Sequence, residues 1–299
     1  MVKRPIPLFI NPVAGRGRAR QRAASIRRIL DESGVAFEEI HSTSVGDLEY
    51  KVFAVASAGA DRIIVAGGDG SVHEAVNGIL RSASQTALGV IPVGTGNDFA
   101  KACSIPLHWE DATRLLADRI GSDMPLRYID AGRMNDRYFA NGAGIGFDAK
   151  INQIARGNRL PIGDLVYLIA VFQGVWDGVI TPGVSMRYDA TDYAGSVTLV
   201  EICNGPSVGG MFQIAPMAKN DDGLLDLIFV QPVGRLRIFA LLPRLVNGTH
   251  ITAPEVSCAT VNSVRLLAEE PVPSHLDGEV QPLQSEFRIE ILKRALAIL

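Results

Sequence analysis

Apolar and polar positions alternate in blocks along the first part of the chain. Short runs, "IPLFI", "VAFEEIHS", "RIIVA" and "ALGVIP", read as strands. Between them lie stretches with apolar residues three and four apart: Arg18 to Asp31, "DLEYKVFAVASA", a helix from Ser71, then "DFAKAC" and "WEDATRLLADRI". In the helix from Ser71, the residues Val72, Ala75, Val76, Ile79 and Leu80 share one face. Strands alternating with helices of this length predict a mostly parallel sheet covered on both faces. The character changes between Gly121 and Asp130. Beyond it strand patterns dominate: "RYFANGAG", "VSMRYDA", "SVTLVEICNG", "LLDLIFV", "SVRLLAEE", "FRIEIL" and "ALAIL". Turns such as "PGVS", "NDDG" and "LDGEV" separate them, and helical patterns intervene near 160–177 and 235–247. The second half therefore predicts an antiparallel β-sandwich. The expected division is an α/β domain over 1–128 and a sandwich domain over 129–299, without internal repeats or low-complexity segments.

A chain of 299 residues, 47% hydrophobic and 20% charged, can bury a sizeable core. Its formal charge of −3 argues against a general nucleic-acid binder. Cys103, Cys203 and Cys258 are widely spaced and form no CxxC, which fits core cysteines in a reducing compartment. No signal-peptide pattern follows the first strand. The apolar stretch "LVYLIAVFQGVW", Leu165 to Trp176, is too short to span a bilayer, and Asp164 and Asp177 flank it. The expectation is a soluble, cytoplasmic protein whose membrane contact is peripheral.

Candidate chemistry begins at "RIIVAGGDGSVHEAVNG". A strand runs into Gly67-Gly68-Asp69-Gly70 and a helix starts at once. Amides at a helix start carry the positive end of the dipole, and glycines let a phosphate approach the main chain. Asp69 would repel a phosphate directly, but it can face a Mg2+ ion that bridges phosphates. The plain alternative is a tight turn with a capping box, since Ser71 and Glu74 have the S-x-x-E spacing. Two further turns share the same edge of a parallel sheet: Asn11-Pro12-Val13-Ala14-Gly15 after the first strand, and Gly94-Thr95-Gly96-Asn97-Asp98 after the fourth. None has the G-x-x-x-x-G-K-[ST] pattern. "GAGIG", Gly142 to Gly146, lacks the strand–turn–helix context.

The motifs "NPVAG", "GGDGSVHEAVNG", "GVIPVGTGNDFAK", "NDDGLLDL" and "LDGE", in this order, resemble the diacylglycerol kinase catalytic-domain family, with NAD kinases and phosphofructokinases as distant relatives. The resemblance covers nearly the whole chain. It implies a nucleotide-binding α/β domain, and a sandwich domain carrying the catalytic base and the lipid-side residues, with the site in the cleft between them. It also implies ATP- and Mg2+-dependent phosphorylation of a lipid hydroxyl. Nucleotide contacts fall by this resemblance on Asn11, Pro12, Val13, Ala14, Gly15 and Arg16, on Ser42 or Thr43, on Gly67, Gly68, Asp69, Gly70, Ser71, Val72, His73 and Glu74, and on Thr95. A metal site falls on Asp222 with the carbonyls of Lys219 and Leu224, and the base falls on Glu279. Ser71 stands where Thr is usual, and His73 where Asn is frequent.

Phosphoryl transfer needs a deprotonated nucleophile, neutralised phosphoryl oxygens and in-line placement. Glu279 follows the Asp277-Gly278 turn and can project as a general base; the same residues equally make a plain hairpin. Asp69 and Asp98 are candidates to hold the catalytic Mg2+, although Asp98 also suits a helix start and "NDDG" a simple turn. Arg16 can reach a nucleotide phosphate. Arg20 and Arg27 share a flank that suits either solvent or anionic headgroups. The stretch "LPIGDLVYLIAVFQGVW" is the acyl-chain candidate, with a helix packed on the sandwich as the alternative. His250 and His275 match no metal pattern and read as surface or core residues. The expected activity is phosphorylation of diacylglycerol to phosphatidic acid at the membrane's inner face. A sphingoid base, another lipid or NAD is the alternative acceptor, and a non-catalytic nucleotide sensor the rival class. No nucleic-acid partner is expected, and a homodimer is left open.

Overall fold

The computed structural model describes residues 4–122, 124–157 and 165–299, without the side chains of Arg156 and Leu165. Asp123 in the changeover, and the start of the helical pattern near 160, lie outside the described residues. The chain forms two compact units, Met1–Ile129 with Arg294–Leu299, and Asp130–Lys293.

Unit 1 runs β1 (Ile6–Ile10), α1 (Arg18–Glu32), β2 (Phe37–His41), α2 (Asp47–Ser57), β3 (Arg62–Gly67), α3 (Asp69–Ser82), β4 (Ala87–Pro92), α4 (Asp98–Ala102) and α5 (Trp109–Gly121). The strands are parallel in the order β2-β1-β3-β4. One face packs Leu8, Ile10, Ile64 and Ala66 against Ala23, Ile26 and Leu30 of α1 and Leu116 and Ile120 of α5. Phe9, Ile63 and Val65, alternate along the same strands, are buried as well. On that second side α3 packs on β3 and on α2. Burial on both sides is why these strands read as unbroken apolar runs.

Unit 2 contains β5 (Arg127–Met134), which starts in unit 1, then β6 (Arg137–Phe139), β7 (Gly142–Gly146), α6 (Phe147–Gly157) and α7 (Leu165–Asp177). It continues with β8 (Gly183–Tyr188), β9 (Thr191–Ser196), β10 (Leu199–Cys203), β11 (Leu225–Val230), α8 (Arg235–Val246), β12 (Val256–Val261), β13 (Ser263–Leu276) and β14 (Glu279–Ile298). The pairings are antiparallel: β12-β11-β10-β7-β13-β14, with β8 also on β13 and β9 on β8. Phe139, Ile202, Leu227, Leu266 and Phe287 fill the sandwich core. Four of the expected strands are divided otherwise. "RYFANGAG" breaks into β6 and β7. "SVRLLAEE" continues into β13, whose register shifts around Val272 because Pro271 and Pro273 cannot donate to the ladder. "FRIEIL" and "ALAIL" are one strand, kinked at Arg294 (φ 51°), after which Ile298 lies parallel beside Leu88 of β4. Helix α6 and strands β5, β9 and β12 were not expected from the pattern. Cys103 and Cys203 are buried, but Cys258 is exposed, because among the described residues β12 pairs with β11 alone.

Across the β5–β6 pair, Gly132 faces Phe139, whose ring covers it. A Cβ at Gly132 would stand 1.9 Å from the ring. Overpacking a filled core typically costs about 1–3 kcal/mol. Gly132→Ala is therefore expected to lower the urea midpoint by that energy with the slope unchanged, measured by equilibrium unfolding.

Candidate active site

The turns after β1, β3 and β4 lie at the carboxyl edge of the parallel sheet, where α/β proteins bind ligands. They are interlocked. Gly15 and Arg16 adopt left-handed φ of 59° and 61°, and Gly17 follows with 88°. A Cβ on Gly15 would meet the Val93 carbonyl oxygen at 2.0 Å, so only glycine lets the first turn lie against the end of β4. Asn11 Oδ1 accepts the Val13 amide, and its Nδ2 donates to Ser71 Oγ at 3.1 Å. Gly68 and Gly94 approach so closely that a Cβ on Gly94 would come within 2.5 Å of Gly68 Cα. Asn97, also left-handed at 53°, ties both polar groups of Gly94 with its side-chain amide.

Arg18 completes the frame, a role that leaves no mark in the local sequence. Its Nε donates to Gly15 O at 2.9 Å, and its Nη2 donates to Gly94 O and to Thr95 Oγ1, both at 3.1 Å. Arg16 is exposed at the same turn. Of the outer arginines, Arg27 pairs with Glu39 and Arg28 with Glu32.

The GGDG turn enters α3 with Gly68 as the N-cap and no side-chain capping bond, so the S-x-x-E capping box does not form. Gly67 is required because a Cβ there would strike Ser71 Cβ at 2.3 Å. Asp69 Oδ1 accepts the Phe99 amide at 3.2 Å, joining this turn to the start of α4. Asp98 is buried beside it in sequence and pairs with Lys101 at 3.2 Å. Glu74 reaches α2 instead of its own helix start. Its carboxylate accepts the amides of Gly46, Leu48 and Glu49, the cap and first turn of α2. Val72 and His73 are buried, and the His73 ring meets Asn77 within α3. Ser42 is buried, while the Thr43 amide and hydroxyl both donate to Asp47. Pro12, Ala14 and Gly70 are partly covered and Val13 is exposed.

In unit 2 the "NDDG" turn is anchored by Asp130, fully buried, whose Oδ2 accepts the Gly223 amide at 2.7 Å. Asp222 is exposed, and its Oδ1 accepts the Leu224 amide. Burial, and then the charge of Asp222, raise Asp226 to about 6. A cation at this turn would relieve both carboxylates, which fits the single-carboxylate set of Asp222 with the carbonyls of Lys219 and Leu224. Leu276 pairs with Glu279, and Asp277 (φ 51°) and Gly278 (φ 81°) make the two-residue hairpin between β13 and β14. The hairpin is therefore real, and it presents Glu279 at the first position of β14, partly exposed. Asp277 accepts three amides, from Ala140, Asn141 and Gly142, at 2.8–3.0 Å.

Behind this hairpin lies a buried cluster absent from the sequence reading. Glu201 on β10 and His275 on β13 flank Gly144 of β7 in register. A Cβ on Gly144 would meet His275 Nε2 at 2.2 Å and Glu201 Oε1 at 2.4 Å. Asp148, in the first turn of α6, lies 2.5 Å from His275 Nε2, and Glu201 Oε1 lies 3.5 Å from it. Burial, then the charge of Asp148, raise Glu201 to about 8. Burial resists ionising Asp148, but the hydrogen bond and charge of His275 outweigh it and hold its carboxyl low. Burial opposes a charge on His275, while the carboxylates of Asp148 and then Glu201 favour one and raise it to about 10; the Gly278 amide, which donates to Nδ1, works against that charge. The only sequence signals were the glycines of "GAGIG", which make room for these side chains.

Two measurements follow. Glu74→Ala leaves three amides at the start of α2 without their acceptor, and is expected to lower stability by about 1–2 kcal/mol in thermal or urea unfolding. Glu201 is neutral in the folded state up to about pH 8, while the unfolded chain gives up this proton near 4.5. Its contribution is thus full below the lower value and is lost as pH rises to the upper one. Glu201→Gln is expected to flatten the fall of the thermal midpoint across that window.

The chain matches two family models, the diacylglycerol kinase catalytic domain over residues 5–126 and the YegS C-terminal NAD kinase beta sandwich-like domain over residues 142–299. It is 31% identical to a diacylglycerol kinase of Mycobacterium tuberculosis, over 98% of this chain and 94% of that one. It is 29% identical to a diacylglycerol kinase of Bacillus subtilis, over 91% and 88%. A Chromohalobacter salexigens protein named "Probable lipid kinase YegS-like" is 32% identical over 81% and 76%. The crystal structure of a diacylglycerol kinase from Bacillus anthracis shares the fold, with a TM-score of 0.75 at 23% identity over 98% and 96%. Two interlocked sets of turns, one in each unit, thus fall within two adjoining family domains, and the chain belongs to the family of diacylglycerol kinases and YegS-like lipid kinases.

Proposed function

We propose that this lipid kinase transfers the γ-phosphoryl group of ATP, with Mg2+, to the hydroxyl of diacylglycerol, giving phosphatidic acid. The observation that carries the reading is the set of three turns held together by Arg18, Asn11 and the Gly68–Gly94 contact. They leave main chain without side chains at a helix start, which suits the phosphates of ATP. The named relatives support diacylglycerol as acceptor.

In this reading Glu279 takes the proton of the acceptor hydroxyl. The hydroxyl oxygen bonds to the γ-phosphorus as the bridging P–O bond breaks, and ADP leaves with that electron pair. Mg2+, when bound, neutralises charge on the phosphoryl oxygens. Asp69 and Asp98 are the proposed residues toward it, each already fixed by a neighbour, Asp69 by the Phe99 amide and Asp98 by Lys101. Arg16 meets phosphate. The Asp222 turn, with the carbonyls of Lys219 and Leu224, is proposed as a second ion site that stiffens unit 2.

A lipid acceptor is supported by an apolar face shared by α7 and α8. Ile169, Phe172 and Trp176 are exposed along one stripe of α7, Trp176 at 82%. Phe239 of α8 stacks on Phe172 at 4.8 Å, and Leu236 is 85% exposed between Arg235 and Arg237. Exposed apolar surface of this kind marks an interaction site, and the exposed Arg235 suits anionic headgroups, while Arg237 is paired with Glu255. Among the described residues no helix is long and apolar enough to cross a membrane. We place the enzyme at the inner face of the membrane on these grounds.

With ATP and Mg2+, vesicles containing diacylglycerol are expected to yield phosphatidic acid by mass spectrometry, while sphingosine and NAD give far less product. Glu279→Gln is expected to lower kcat about 10²–10⁴-fold. NAD phosphorylated in preference to every lipid would overturn the acceptor; full turnover by Glu279→Gln would remove the base.

A further inference from the structure

The cluster of Asp148, Glu201 and His275 is assigned nothing by the reading above, yet it touches the turn that carries Glu279. The contact is specific. The Gly278 amide donates to His275 Nδ1 at 3.2 Å. In a hairpin turn of this kind the amide of the second central residue has no partner in the ladder. Here it is given one from inside the fold.

For Nδ1 to accept, the ring proton must sit on Nε2. Asp148 Oδ2 faces Nε2 at 2.5 Å and holds that tautomer. Glu201 lies on the same side of the ring, and its two oxygens are buried beside Asp148 and His275. A second bare carboxylate there would draw a proton onto Nδ1 by favouring imidazolium. A proton on Glu201 removes that pull, since a neutral carboxyl adds no charge. Asp148 and Glu201 together pull toward an imidazolium, but a proton on Nδ1 would stand donor against donor with the Gly278 amide at 3.2 Å; that contact decides for ionised Asp148, protonated Glu201 and neutral His275, with Nδ1 bare toward Gly278. A divalent cation fits poorly: bound at Nε2, it would force the ring proton onto Nδ1, donor against donor with the Gly278 amide.

Gly144 makes this possible. Glu201, Gly144 and His275 stand side by side on three adjacent strands, and the absent Cβ is the space their side chains occupy. The turn is thus held on two sides, by Asp277 on the amides of residues 140–142 and by His275 on the Gly278 amide.

We propose that Asp148, Glu201 and His275 are positioning residues for phosphoryl transfer: they keep His275 Nδ1 an acceptor, which fixes Gly278 and the direction in which Glu279 leaves the turn. The inference rests on Glu279 being the base. Displacing a reacting group by about an ångström can cost about 10²-fold in rate.

The first test uses the intact protein. Imidazole ¹⁵N spectra at pH 7 are expected to show His275 with Nδ1 bare and Nε2 protonated, and the Gly278 amide protected from exchange. An imidazolium at that pH overturns the proposal. The second test compares two replacements. His275→Asn keeps an acceptor where Nδ1 stood; His275→Gln keeps a donor toward Asp148 but none for Gly278. His275→Gln is expected to lose about 100-fold in kcat with the ATP KM unchanged, and His275→Asn to recover most of it. Equal losses in both variants, or a lower thermal midpoint with kcat intact, overturn it. Glu279→Gln separates the two ideas. If that variant is inactive while His275→Gln turns over normally, only the positioning role falls. If Glu279→Gln turns over normally, the base falls and the positioning role with it.

Discussion

The constraint on which both units depend is steric: polar main chain and side chains meet at places where a single Cβ would not fit. In unit 1 the meeting is Gly68 against Gly94, with Gly15 against the Val93 carbonyl. In unit 2 it is Gly144 between Glu201 and His275. Each contact brings together groups from elements far apart in sequence. A methyl at any of them would push apart the parts that give the turns their shape. Glycine lowers the stability of a strand interior; these glycines persist because proximity, and not local propensity, is what they supply.

The acids around these contacts divide by what they hold. Asp69, Glu74, Asp130 and Asp277 accept main-chain amides from elsewhere in the chain. A carboxylate that accepts two or three amides is worth more than a neutral acceptor in the same place. Turns that would otherwise fray are thereby fixed. The same commitment limits chemistry: Glu74, saturated by α2, has little left for a ligand. Arg18 works in the opposite sense, as a cation spanning two carbonyls and a hydroxyl, and so draws the first and fourth turns into one surface.

Much of the fold was readable because burial on two sides leaves an unambiguous mark. Apart from β2 and the first residue of β3, the strands of unit 1 are apolar, and "IPLFI" and "ALGVIP" coincide with β1 and β4. The three glycine turns were equally visible. What escaped the sequence was pairing over distance. Nothing local distinguishes Glu74 as the cap of α2 from Glu74 as half of a capping box, and the box was the closer partner in sequence. Arg18 looked like one of several arginines on a solvated helix. Glu201 sits in an apolar strand and reads as its polar interruption, and His275 shares nothing in spacing with Asp148. Helix α6 was missed because it follows a glycine-rich strand without a capping residue, although Phe147, Ile151 and Ile154 have helical spacing. Proline misled in a simpler way: Pro271 and Pro273 break the ladder of β13 but not its course.

The Asp277-Gly278-Glu279 segment shows why a hairpin and a base need not be rival readings. A two-residue turn of left-handed residues reverses the chain in the least length available. Asp277 accepts left-handed φ because its own carboxylate is anchored on three amides, and that anchoring fixes the turn against the β6–β7 connection. Glu279 is then the first residue free to pair, and pleating sets its side chain by the register with Leu276. A base carried on a longer loop would have to be ordered each time it acted, at a cost of about 1–2 kcal/mol per residue. Here the ordering is done by Asp277 and the amides it holds, so the strongest hairpin signal in the chain is also a place suited to the proposed base.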